Sequence, residues 1–192
     1  MAPGLAGLEQ LGSRSRFRGS IWSTETPQGH RCEVIGEFTD VDLDGLVTDH
    51  FTHRLSGPAN VTLQVARFQQ GRLVEAAGTL QAGPGRIGRS LLDAAATRLK
   101  LAPGTLPEPG DPIPYDRLAC EFFVDSDGLW LRGQGSGDSS GAILTGRYGP
   151  LLGNPASQPQ PVVALLGMLV PGSEVQVPAT RQTAWLMRHL PD

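Results

Sequence analysis

LSGPANVTLQVARF, residues 55–68, places Val61, Leu63 and Val65 at every second position, the period of a strand with one buried face. Gln69-Gln70-Gly71-Arg72 follows as a Gly-containing turn. Leu73 to Gln81 returns with Val74, Ala76 and Leu80 on one side and Glu75, Thr79 and Gln81 on the other. The two strands therefore turn an apolar face the same way, and a curved antiparallel surface is expected. Gly83-Pro84-Gly85 then breaks the strand and opens a helix over about residues 87–100, whose apolar stripe is Ile87, Leu91, Leu92, Ala95 and Leu99.

The rest of the chain fits this frame. Its 192 residues suit one domain with appendages and can bury a core. Gly 25 and Pro 16 make up a little over a fifth of the chain, which favours turns and short strands over a helical bundle. A net charge of -3 without a Lys/Arg cluster argues against nucleic acid as a partner, because phosphate neutralisation needs clustered cations. The longest apolar run, Val162 to Val170, is nine residues including Gly167, far short of the roughly 20 that cross a bilayer. Cys32 and Cys120 each sit in an alternating apolar pattern, which suits either a disulfide or two free thiols.

In chain order, residues 1–13 read as a loose segment. Ser15 to Thr24 and His30 to Phe38 read as paired strands around Thr26-Pro27-Gln28-Gly29, with Cys32, Val34, Gly36 and Phe38 on one face. Residues 102–114, with five prolines, read as a linker crossing a surface. Tyr115 to Val124 and Leu129 to Gly133 form a second hairpin around Asp125-Ser126-Asp127-Gly128, with Leu118, Cys120, Phe122 and Val124 on one face. Residues 133–141 read as a Gly/Ser loop, and Ala142 to Tyr148 as a strand. A tail over 159–192, expected to pack on the body, contains a short apolar helix, Pro159 to Val170, and an amphipathic one, Pro178 to Leu190, with Trp185, Leu186, His189 and Leu190 on one face. The expected body is thus residues 14–158. Its fold class is α+β, mostly β: a curved antiparallel sheet of successive hairpins with two or three short helices packed on it.

Four patterns resemble sites. Gly83-Pro84-Gly85-Arg86-Ile87-Gly88 matches GxGxxG, but its strand belongs to an antiparallel hairpin and Pro84 lacks the N–H that would cradle phosphate. Asp40-Val41-Asp42-Leu43-Asp44-Gly45 begins like an EF-hand loop, yet Phe51 stands where the bidentate Glu is required. Gly137-Asp138-Ser139-Ser140-Gly141 fits GxSxG, with Glu174 and His189 in acid-then-base order, but a Gly/Ser loop feeds Ser139 in place of an apolar strand. His50 and His53, beside Asp49, read as surface residues of a polar connection. No catalytic residue, metal ligand or cofactor is assigned from these patterns.

A broader match lies in VDLDGLV (41–47), LSGPANVTLQVARFQQGRLVEAAGTLQAGPGRIGRSLLDAA (55–95) and YDRLACEFFVDSDGLWLRGQ (115–134). Across roughly residues 30–145 this succession resembles the AsmA-like family of bacterial envelope proteins, related to the TamB group, in its C-terminal portion. The resemblance implies an elongated, curled sheet whose concave apolar side holds acyl chains. It also implies placement in the cell envelope, on the periplasmic side of the inner membrane, near the membrane through an upstream region. The implied activity is non-enzymatic lipid binding or transfer, or outer-membrane maintenance.

By alternation, the residues expected to line an open groove for phospholipid or another acyl-chain ligand are Cys32, Val34, Phe38, Val61, Leu63, Val65, Val74, Leu80, Leu118, Phe122 and Val124. The same faces could instead form a closed core beneath the helices. Two further readings stay open: a small serine hydrolase centred on Ser139, and a scaffold or interaction domain whose sheet edge pairs with a larger protein.

Overall fold

The structure, a computed structural model, describes residues 14–27, 29–106, 110–135, 140–155 and 158–170. The first hairpin is β1 (Arg16–Thr26) with β2 (Gly29–Asp42), followed by a π-helical turn, Asp44–Thr48. A two-residue strand, β3 (Leu55–Ser56), leads into the central hairpin of β4 (Pro58–Gln69) and β5 (Arg72–Ala82). Gln70 and Gly71 both have positive φ, 53° and 79°, which is the type I′ turn whose twist matches a two-residue hairpin loop.

After β6 (Gly85–Ile87) comes α1 (Arg89–Arg98), then β7 (Leu101–Pro103) and β8 (Ile113–Tyr115). The second hairpin is β9 (Arg117–Asp125) with β10 (Gly128–Gly133), and β11 (Leu144–Gly146), β12 (Gly149–Pro155) and α2 (Val163–Leu169) complete the described chain. In the turn between β9 and β10, Asp125 Oδ1 accepts hydrogen bonds from the Asp127 and Gly128 amides, at 2.9 and 3.2 Å.

Nine strands form one unclosed, curved antiparallel sheet in the order β1-β2-β4-β5-β9-β11-β12-β7, with β10 also on β9. A second sheet, β3-β6-β8, has three strands. The expected class, a mostly β curved sheet of successive hairpins with short helices, is the observed one.

Register defines two faces, called here the core face and the outer face. On the core face Phe38 opposes Val61, Val61 opposes Leu80, and Leu80 opposes Cys120. Burial is uneven along it. Leu91, Leu92 and Ala95 of α1, Ile87, Ile113 and Tyr115 of the small sheet, and Leu144, Leu151 and Leu152 are all buried in one cluster. Every one of the hydrophobic positions Val34, Phe38, Leu63, Phe68, Leu73, Leu80 and Phe122 packs against this cluster while keeping partial access.

Several expectations are corrected. The segment 102–114 is no surface linker: β7 pairs with β12, and β8 carries Ile113 and Tyr115, each 1% exposed, into the core. Prolines are compatible with such short strands because these make few ladder bonds. The helix starts at Arg89, since Gly85–Ile87 is a strand; Ile87 is buried from that strand. The strand β12 was not expected at all, because a seven-residue GPLLGNP stretch lacks alternation. Residues 1–13 and the amphipathic segment 178–190 lie outside the described residues.

Candidate functional site

Strand pairing brings most of the expected lining residues together and separates two of them. Cys32, Val34 and Phe38 of β2, Val61 and Leu63 of β4, Leu80 of β5, and Leu118, Phe122 and Val124 of β9 share the core face. All of these keep partial access except Val124, which is 6% exposed and belongs to the closed cluster.

Val65 and Val74 do not join them. Between Leu63 and Val65 the register shifts by one residue against both β2 and β5, so Leu63 stands opposite Gly78 while Val65 stands opposite Ala77, whose side chain is on the outer face. A bulge of this kind inserts an extra residue and turns the subsequent side chains to the other side. Likewise Phe68 pairs with Leu73, leaving Val74 unpaired and 41% exposed, while Leu73 takes its place against the core.

Cys32 and Cys120 are free thiols on one face, with β4 and β5 between their strands. Three strand spacings, about 14 Å, exceed the reach of a disulfide. Burial pushes the Cys120 thiol up to about 11, so it is held neutral and unreactive.

The remaining motifs resolve differently. In the GxGxxG stretch, a Cβ on Gly85 would lie 1.9 Å from the Ser56 carbonyl oxygen and 2.7 Å from the Tyr115 hydroxyl, so this glycine is explained by backbone packing. His50 is exposed, whereas His53, expected at the surface, is 2% exposed, with Nδ1 2.9 Å from Ser90 Oγ and Nε2 without a partner among the described residues. Asp42 Oδ1 accepts the Asp44 amide at 3.0 Å, a local turn contact within the stretch that resembles an EF-hand. Among the described residues no three His, Cys, Asp or Glu side chains gather as a metal site. Ser139, Glu174 and His189 lie outside the described residues.

The outer face carries a feature that the residue pattern did not single out. A shallow groove of about 580 Å³ is lined by outer-face residues such as Ala77, Glu121, Phe123 and Trp130 together with Phe122 and Leu131 of the core-face register. Ala77, Phe123 and Trp130 of its lining form a row across the strands, Ala77 opposing Phe123 and Phe123 opposing Trp130, and Val65 continues that row beyond the groove. Phe123 and Trp130 are the out-of-phase aromatics of the second hairpin, and that phase was the available signal.

The fold and these surfaces define a protein built on an open antiparallel sheet with one half-accessible apolar face. Comparison with protein-family models, curated proteins and solved structures yields no match. Among the described residues no helix is long and apolar enough to cross a membrane.

Proposed function

We propose that this chain is a non-enzymatic module of the bacterial cell envelope, similar to the C-terminal portion of AsmA-like proteins, that takes acyl chains of phospholipid against the core face of its sheet. Its place is the periplasmic side of the inner membrane. The observation that supports this reading is the half-accessible apolar patch of Val34, Phe38, Leu63, Leu80 and Phe122 on a sheet that does not close. A face buried only for stability is normally sealed by its own chain. Here the main packing partners of α1 are α2 and β7, toward the far edge of the sheet.

Native mass spectrometry with lipid extraction, on protein purified from a bacterial host, tests the proposal. Bound phospholipid is expected, and it should be lost in Leu63→Asp but retained in Val65→Asp, whose side chain faces the other way. Protein that is folded by circular dichroism and lipid-free would refute the acyl-chain reading.

A second reading, an interaction domain that pairs through its sheet edge, is favoured by β1. This strand makes an unbroken run of pairs with β2 from Arg16 to Thr26 and, among the described residues, none on its other side. Protein interaction through that edge, without bound lipid, would select it. No described residue favours the hydrolase reading; absence of fluorophosphonate labelling, or labelling unaffected by Ser139→Ala, would dismiss it.

A further inference from the structure

We infer that β1 pairs antiparallel with β1 of a second copy of this chain, about a two-fold axis at Ile21, so that two sheets join edge to edge. The pairing names a partner for the edge reading above, on which it rests, and is independent of acyl binding to the core face.

The two edges of the large sheet are built differently. At one end β7 has three residues and finishes in Pro103. At the other end β1 has eleven residues, pairs with β2 without a bulge and contains neither Lys nor Pro. Short length, Pro, Lys and bulges are the usual protections of an exposed edge, and β1 has none of them. Ile21 and Trp22, at its middle, are 50% and 51% exposed.

One hydrogen bond fixes which backbone groups point outward. The Gln70 amide donates to the His30 carbonyl oxygen at 2.8 Å, so His30 turns its peptide groups toward the β4 side. Glu25, opposite His30, therefore directs its own N–H and C=O away from β2, because the residues of such a pair face apart. The unbroken register extends this to every second residue, Ser23, Ile21, Gly19 and Phe17.

A second copy fits this row in one register. With Ile21 opposite Ile21, Gly19 meets Ser23 and Phe17 meets Glu25, so every residue of the row is paired, by about ten main-chain hydrogen bonds, the number a standard interface carries. Moving the axis to Trp22 sets Phe17 against Pro27, which has no N–H; moving it to Ser20 sets Glu25 against Ser15, outside the strand. An axis between residues would oppose the free groups to groups already directed at β2.

The side chains suit the same register. Trp22 opposes the small Ser20 of the second copy, and Arg18 of that copy stands on its diagonal, within reach of a cation–π contact. The basic end, Arg16 and Arg18, lies beside the acidic end, Glu25, of the other strand, whereas parallel pairing would set like charge beside like. Among the described residues none of these three makes an ion pair within its own chain. On the core face Ile21, opposite Val34, continues the apolar row across the axis.

The test is sedimentation equilibrium of the full-length chain over a micromolar concentration range, with substitutions at the axis. A concentration-dependent dimer is expected. Ile21→Pro removes only an outward N–H, so it should raise the dissociation constant at least tenfold with unchanged circular dichroism. Should the proline variant misfold, Ile21→Lys carries the same expectation. In a Cys32→Ser background, Ile21→Cys sets two thiols on a hydrogen-bonded pair, about 5.5 Å between Cα atoms, and should form an intermolecular disulfide at least tenfold faster than Ser23→Cys, whose copies lie about 14 Å apart along the strands. A monomer throughout would overturn the inference; if that monomer still bound another protein through this edge, the edge reading alone would survive. A dimer indifferent to the Ile21 substitutions, or cross-linked as fast through Ser23→Cys, would use another surface or register and equally overturn it.

Discussion

The hydroxyl of Tyr115 donates a hydrogen bond to the carbonyl oxygen of Ser56 across 2.8 Å. The ring is 1% exposed, so this contact satisfies both polar groups inside the core and ties β8 to β3, strands that pair with opposite sides of β6. Tyr115→Phe keeps the ring but leaves the Ser56 carbonyl short of a donor. A loss of about 1–2 kcal/mol is expected in urea unfolding; unchanged stability would mean that water replaces the hydroxyl.

Alkaline pH should weaken the fold in a defined window. Burial pushes the Tyr115 phenol up to about 12 and the Cys120 thiol up to about 11, from ordinary values of 10 and 9. Above those ordinary values the unfolded chain releases protons that the folded chain still holds, so stability falls as pH rises. The contribution is complete below pH 9 and is lost progressively up to about pH 12. With solvent screening allowed for, the two groups together account for about 2–4 kcal/mol. Urea midpoints measured across this range should decline, and in Tyr115→Phe the decline above pH 10 should shrink.

Gly85→Ala separates packing from phosphate binding in the GxGxxG stretch. The added methyl would meet the Ser56 carbonyl oxygen at 1.9 Å, which forces β6 and β3 apart. The expected cost is about 2–3 kcal/mol, read as a fall in Tm of roughly 5–10 °C. A variant as stable as the parent would remove the packing explanation.

Leu63→Asp and Val65→Asp should differ sharply, although the residues are two apart in one strand. Leu63 packs against the core, so an unpaired carboxylate there should cost about 3 kcal/mol or more. Val65 faces the outer side opposite Ala77, and its change should cost about 1 kcal/mol. Equal losses would contradict the bulge between them.

Much of this architecture is local and was therefore readable from the residues. Alternation gives both central hairpins, the Gln70-Gly71 pair gives the turn between β4 and β5, and the spacing of Leu91, Leu92, Ala95 and Leu99 gives the buried side of α1. The same alternation puts Cys32, Val34, Phe38, Val61, Leu63, Leu80, Leu118, Phe122 and Val124 on one face, because a strand's side chains alternate by geometry alone.

Only the tertiary structure decided where that alternation slips and which surfaces cover each face. Val65 and Val74 leave the shared face because extra residues in β4 and β5 are absorbed against partner strands, a pairing event that no single strand encodes. Ile113 and Tyr115 become core although they follow a run of prolines, since β6, more than a dozen residues away, pairs with β8 and holds them in the buried cluster. His53 is buried for the same reason, its environment being set by Ser90 on α1. The partial opening of the core face likewise depends on helices that gather at one edge of the sheet, a placement settled by long-range packing of apolar surface and not by the pattern of any one segment.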